Sequence, residues 1–141
     1  MTAVLDASVL IKWLLADPER EPDTLRAAAL MSAVGNGAID ILQPVHWLIE
    51  VGAVLARLSP ETASDDLVTL RAMEIPTSDE LSVLRRGCDL AIATRHHLFD
   101  TLYHAVALEH DDAILVTADE QYYRKARDLG RMQLLSDWVV P

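Results

Sequence analysis

Ala113-Ile114-Leu115-Val116 is an unbroken apolar run set between Asp111-Asp112 and Thr117-Ala118-Asp119. A strand that short, with no polar alternation, must be covered on both faces, which is the condition of a parallel sheet flanked by helices. Thr2–Leu5 is a second such run, closed by Asp6. The long segments between them carry helical signals. The expected fold class is therefore α/β, with three layers, α/β/α, around a short central, mostly parallel sheet.

Ser8–Leu15 continues apolar and stops at Ala16-Asp17-Pro18, so it is expected to be a short helix. Glu21–Val34 reads as a second helix, stopped by Gly35-Asn36-Gly37. Ile39–Leu42 reads as a strand. Pro44 suits the first turn of a helix reaching about Leu58, and Ser59-Pro60-Glu61 suits a cap and start for the next, to about Met73. Glu74–Pro76 is expected as a short strand. Thr77 and Glu80 have capping-box spacing, and the helix they open places Leu81, Leu84, Cys88, Ala91 and Ile92 on one face. A break at His96-His97 precedes a helix from about Phe99 to His110. Asp119–Leu129 is a last helix closed by Gly130, and Leu134-Leu135 an edge strand.

At 141 residues, 51% hydrophobic and 24% charged, the chain is read as one globular domain over residues 1–141. One cysteine, Cys88, excludes an internal disulfide and any multi-cysteine zinc site. No apolar run approaches the roughly 18 residues of a membrane helix, and the start lacks a basic segment. A cytoplasmic protein with no membrane partner is expected. Twelve Lys and Arg against 22 Asp and Glu give a net charge of −10. That balance argues against a non-specific nucleic-acid binder, but not against an enzyme whose acids hold metal ions.

The position of the acids then matters. Asp6 ends one strand, and Asp119 follows another by two residues. Sites in open α/β sheets form beyond the carboxyl ends of the strands, so both point to one rim. Glu50 and Asp100 instead interrupt apolar helices, in Trp47-Leu48-Ile49-Glu50-Val51 and Leu98-Phe99-Asp100-Thr101-Leu102. Each also has a bland reading. Asp6, Ser8 and Asp119 suit helix caps, Asp100 suits a helix N-terminus, and Glu50 could pair with Arg57. The bland readings do not explain why isolated acids fall in the most apolar segments, since glutamate is almost never buried without a partner. Asp17, Glu19, Glu21, Asp23, Glu61, Asp65, Asp66, Asp79, Glu80, Asp111, Asp112 and Asp128 lie at turns, helix starts and polar faces and read as solvated surface.

Four pieces together carry a resemblance: Val4-Leu5-Asp6-Ala7-Ser8, the mid-chain helix with Glu50, Phe99-Asp100-Thr101-Leu102-Tyr103-His104-Ala105-Val106-Ala107-Leu108, and Leu115-Val116-Thr117-Ala118-Asp119-Glu120. Their order, with acids 44, 50 and 19 positions apart, resembles the PIN-domain ribonucleases, and within them the toxins of VapC-type toxin–antitoxin pairs. The resemblance spans the whole chain and implies a PIN-like fold. It implies that Asp6, Glu50, Asp100 and Asp119 converge and hold Mg²⁺ or Mn²⁺, with Ser8 and Thr117 as hydroxyl neighbours. Thr101 departs from the pattern, because similar chains often have alanine after the aspartate.

The implied activity is metal-assisted hydrolysis of RNA phosphodiesters. Asp6 and Asp100 are the main expected ligands. Asp119 assists directly or through water, and Glu50 is either a ligand or a water-orienting base. Four carboxylates without a softer donor suit Mg²⁺ or Mn²⁺ rather than zinc, and their mutual repulsion should raise some of their pKa values. Candidate cations for RNA are Lys12, Arg85, Arg86, Arg95, Arg124, Lys125 and Arg127, each of which reads equally as solvated surface. The implied partners are an RNA substrate, a cognate small antitoxin and a second copy in a homodimer.

Other chemistries fit less well. A phosphoryl-accepting receiver needs a lysine near a late strand, but Lys12 and Lys125 are the only lysines. A haloacid-dehalogenase type needs an aspartate where Ser8 stands. G-x-G-x-x-G and Walker signatures are absent from the sequence. His46, His96, His97, His104 and His110 form no His-Glu-x-x-His pattern, and a histidine-based ribonuclease, which would need two of them positioned for acid and base work, is the less favoured reading. The remaining alternative is a non-catalytic PIN-like module that binds protein or RNA.

Overall fold

The structure is a computed structural model that describes residues 1–17, 19 and 22–140. In chain order its elements are β1 (Thr2–Leu5), α1 (Ala7–Leu15), α2 (Thr24–Gly35), β2 (Asp40–Ile41), β3 (Gln43–Pro44), α3 (Trp47–Leu58), α4 (Ala63–Ala72), β4 (Thr77–Ser78), α5 (Leu81–Thr94), α6 (Leu98–Glu109), β5 (Ala113–Thr117), α7 (Glu120–Ala126) and β6 (Met132–Leu134). The fold is α/β with an α/β/α arrangement. Its sheet has the order β2-β1-β5-β6, and every pairing is parallel.

The two apolar runs are the central strands. Val4, Leu5, Leu115 and Val116 are fully or almost fully buried. The register sets Leu5 opposite Val116, and the Asp6 N–H donates to the Val116 carbonyl at 3.1 Å. Asp6 and Thr117 therefore leave the sheet side by side at its carboxyl end. β1 loses its β2 partner after Ala3, whose carbonyl takes the Leu42 N–H. The buried Gln43 side chain then takes the place of a neighbouring strand. Its Oε1 accepts the Leu5 N–H and its Nε2 donates to the Leu5 carbonyl, both at 2.8 Å. The backbone on which Asp6 sits is thus held from both sides.

α6 is buried over most of its circumference, from Thr101 to Ala107. It packs on β1 and β5, with α5 against it. The contact is close because Gly87 has no side chain; a Cβ there would stand 2.7 Å from Leu102 Cδ2. Thr101 explains its departure from alanine. Its hydroxyl donates to the Gly87 carbonyl at 2.8 Å and ties the two helices together.

Several sequence expectations are corrected. Pro44 pairs in β3 with β4, and α3 begins only at Trp47. The parallel pairing also takes Thr77 and Ser78 as strand, so the Thr77–Glu80 capping box does not form, and the strand expected at Glu74–Pro76 lies just beyond it. Glu80 precedes α5 without a side-chain cap.

The apolar face of α5 read from the sequence looks outward: Leu81 is 69% exposed, Ile92 is 78% exposed, and Leu84 and Cys88 are exposed as well. Val83, Gly87 and Leu90 face inward, and the close approach to α6 requires the single glycine among them. β6 starts two residues before the expected edge strand. The expected helix start at Glu21 and the stop at Pro18 lie outside the described residues. Among the described residues no helix is long and apolar enough to cross a membrane.

Candidate metal centre

Asp6 is 8% exposed, and its carboxylate is held by neutral donors. The Ser8 hydroxyl donates to Oδ2 at 2.6 Å and the Thr117 hydroxyl donates to the same oxygen at 2.9 Å. The two hydroxyls are themselves fixed. Ser8 Oγ accepts the Ala118 N–H at 3.1 Å, and Thr117 Oγ1 accepts the Asp119 N–H at 3.0 Å. Asp6 makes no side-chain cap to α1, so its cap reading fails. Burial pushes its pKa up to about 7; the two hydroxyl bonds oppose this, and Glu50 and Asp100 add to it. Repulsion between the acids is thus present, but desolvation is the larger cause.

Glu50 projects from α3 and does not use Arg57. Its Oε2 accepts the Tyr103 hydroxyl at 2.7 Å. Tyr103 is fully buried on α6, and burial followed by the Glu50 charge raises its pKa, so the phenol remains a neutral donor. His46 Nε2 lies 3.1 Å from the same Glu50 oxygen and donates to the Phe99 carbonyl at 2.7 Å. That carbonyl belongs to the residue before Asp100, so His46 links the Glu50 helix to the Asp100 helix.

Tyr103→Phe keeps the ring and removes the donor. It should weaken divalent-cation binding by about tenfold, as loss of an outer-shell partner does, which calorimetric titration with Mn²⁺ would measure.

Asp100 lies in the first turn of α6, where the helix dipole favours an acid. Its pKa is raised, mainly by burial and then by Glu50, with His96 opposing. Asp119 does cap α7, since its Oδ1 accepts the Tyr122 N–H at 3.0 Å. Its other oxygen, Oδ2, faces His96 Nε2 at 3.5 Å, and Asp100 Oδ2 lies 3.2 Å from the same nitrogen. One oxygen of this carboxylate thus caps α7 while the other faces the cleft's histidine.

Asp6, Glu50, Asp100 and Asp119 line one open cleft of about 400 Å³, together with Ser8, Lys12, Ile11 and Val54. The buried, partly protonated Asp6 beside three further acids is a donor set that a divalent cation would stabilise. One ligand atom each from His96, Asp100 and Asp119 lies within 4.8 Å of the others, close enough to share an ion.

The other candidate residues are scattered. Arg85 and Arg86 line a separate cleft on α5, where Arg86 Nε meets Glu109 at 2.9 Å. Arg124 is exposed and pairs with Glu120 one turn away at 3.1 Å. The structure therefore does not bring these three arginines to the acids. Lys125 does reach the site's edge, 3.2 Å from His96 Nδ1.

His46, His96 and Tyr103 were not expected at the site. The available signal was spacing: His46–Glu50 and His96–Asp100 are each four residues apart, which is one helical turn.

A short parallel sheet with carboxylates gathered beyond its carboxyl ends defines an α/β domain whose candidate site lies at one rim. The sequence matches the PIN domain over residues 3–128, and the chain belongs to that family. PIN domains are generally nucleases, and they typically use divalent metals. No curated protein matches the chain significantly.

Proposed function

We propose that this chain is a metal-dependent endoribonuclease of the VapC type, the toxin of a toxin–antitoxin pair. The observation that carries the reading is the convergence of Asp6, Glu50, Asp100 and Asp119 in one cleft. Asp6 and Asp100 would hold Mg²⁺ or Mn²⁺, and Asp119 would assist through Oδ2. When bound, the cation would supply Lewis-acid polarisation of the RNA phosphate and lower the pKa of a water. Ser8 and Thr117 fix the Asp6 carboxylate from behind. Glu50 is oriented through Oε2 by Tyr103, and its Oε1 orients the attacking water. Lys12, in the same cleft, offers a cation to the phosphate. The resemblance to VapC-type toxins extends the reading to a homodimer, a small antitoxin and a cytoplasmic location.

The test is cleavage of a structured RNA pool by purified, antitoxin-free protein in Mg²⁺, Mn²⁺ or EDTA. Cleavage that needs metal and is lost in Asp6→Asn is expected. A folded protein that neither cleaves RNA nor binds Mn²⁺ would be a binding module instead.

A further inference from the structure

Lys125 and His96 form a short chain that ends on two of the acids. Lys125 Nζ lies 3.2 Å from His96 Nδ1 and 3.4 Å from the Arg95 carbonyl. An ammonium group has donors only, so Nδ1 is the acceptor and the ring hydrogen of the neutral imidazole is on Nε2. That nitrogen is the one between the carboxylates, 3.2 Å from Asp100 Oδ2 and 3.5 Å from Asp119 Oδ2.

The ring is packed in place. His96 has 10% of its side chain exposed, and it stacks at a tilt on Tyr122 with centroids 4.9 Å apart. Tyr122 is anchored in turn, since its hydroxyl bonds to His104 Nδ1 at 2.9 Å and the His104 Nε2–H donates to the Gly130 carbonyl at 2.8 Å. The same Tyr122 gives its backbone N–H to Asp119. α5, α6 and α7 thus meet at one imidazole whose orientation packing sets and whose tautomer Lys125 sets.

We infer that His96 is a positioning residue, not a metal ligand: held by Lys125 as the Nε2–H tautomer, it aligns the carboxylates of Asp100 and Asp119 for a divalent cation. The inference rests on the metal-site reading above. It follows that the cation meets oxygen donors only, the set that accepts both Mg²⁺ and Mn²⁺. Were His96 a ligand, its Nε2 would have to shed the hydrogen that Lys125 keeps there, and the site would favour the imidazole-seeking metals.

The experiment is Mn²⁺ titration of the full chain by electron paramagnetic resonance, with pulsed detection of ¹⁴N coupling to the bound ion. In the unaltered protein, Mn²⁺ should bind without directly coordinated histidine nitrogen. His96→Ala should lose about 10–100-fold in Mn²⁺ affinity, while His96→Gln, which keeps an N–H donor, should recover most of it. Lys125→Met, which frees the tautomer, should lose several-fold, by the same outer-shell logic.

Melting curves in EDTA show whether each variant folds. If His96→Ala does not fold, the Gln variant and the ¹⁴N spectrum still decide. Strong ¹⁴N coupling that vanishes in His96→Gln would make His96 a ligand and overturn the positioning role. Unchanged affinity in a folded His96→Ala would overturn it too. If the unaltered protein binds no Mn²⁺, the metal-site reading itself falls, and this inference falls with it.

Discussion

Replacing Asp6 with asparagine is expected to cost RNA cleavage at least about a hundredfold while making the metal-free protein more stable at pH 8. The two effects share a cause. Asp6 is buried, and its carboxyl titrates near 7 in the fold against an ordinary value of 3.8. At pH 8 the fold carries an ionised group that would be better solvated in the unfolded chain. The cost implied by a shift of that size is at most about 4 kcal/mol. Asparagine occupies the same space, and its carbonyl oxygen can accept the Ser8 and Thr117 hydroxyls as Oδ2 does. The charge is gone, and with it both the penalty and the grip on a cation. Melting in EDTA at pH 5 and pH 8 would show the variant's stability relative to the parent rising from the lower pH to the higher one. A variant less stable than the parent at pH 8 would mean that the carboxylate is compensated in the metal-free fold.

The parent protein without metal should lose stability as the pH rises from about 4 to about 7. Over that window the unfolded chain has released the Asp6 proton and the fold has not, so the fold binds more protons. Stability is therefore highest at the acid end of the window, falls through it, and is flat above the folded pKa. Asp100 is raised as well and adds to the same slope. Mn²⁺ should reverse the trend, because it binds the ionised acids and binds only the folded chain. At a free concentration a hundred times its dissociation constant the gain is about 2.7 kcal/mol, and it should grow with pH as the acids ionise. Melting temperatures measured from pH 5 to pH 8, with EDTA and then with Mn²⁺, test both statements. A metal-induced stabilisation that is the same at pH 5 and pH 8 would count against Asp6 as the ligand.

The strand–helix alternation and the central strands are legible in the amino-acid sequence, because a short unbroken apolar run such as Ala113–Val116, bounded by turn signals, suits a strand in a sheet covered on both faces. It also marked the four acids, Asp6 and Asp119 by their place at strand ends and Glu50 and Asp100 by their apolar helices. What it could not express was anything that depends on two distant segments meeting. Gln43 acts as a substitute strand for Leu5, which is 38 positions away. Pro44 pairs in a small sheet with Ser78 instead of starting a helix. The apolar stripe of α5 faces outward because a glycine on its other side lets α6 approach more closely than a larger side chain could. His46, Tyr103 and His96 join the acids only because α3, α6 and the α5–α6 junction converge there. Hydrophobic periodicity is a local property that can be read residue by residue. The partner of a buried polar group is decided by the packing of the whole chain, and only the tertiary structure assigns it.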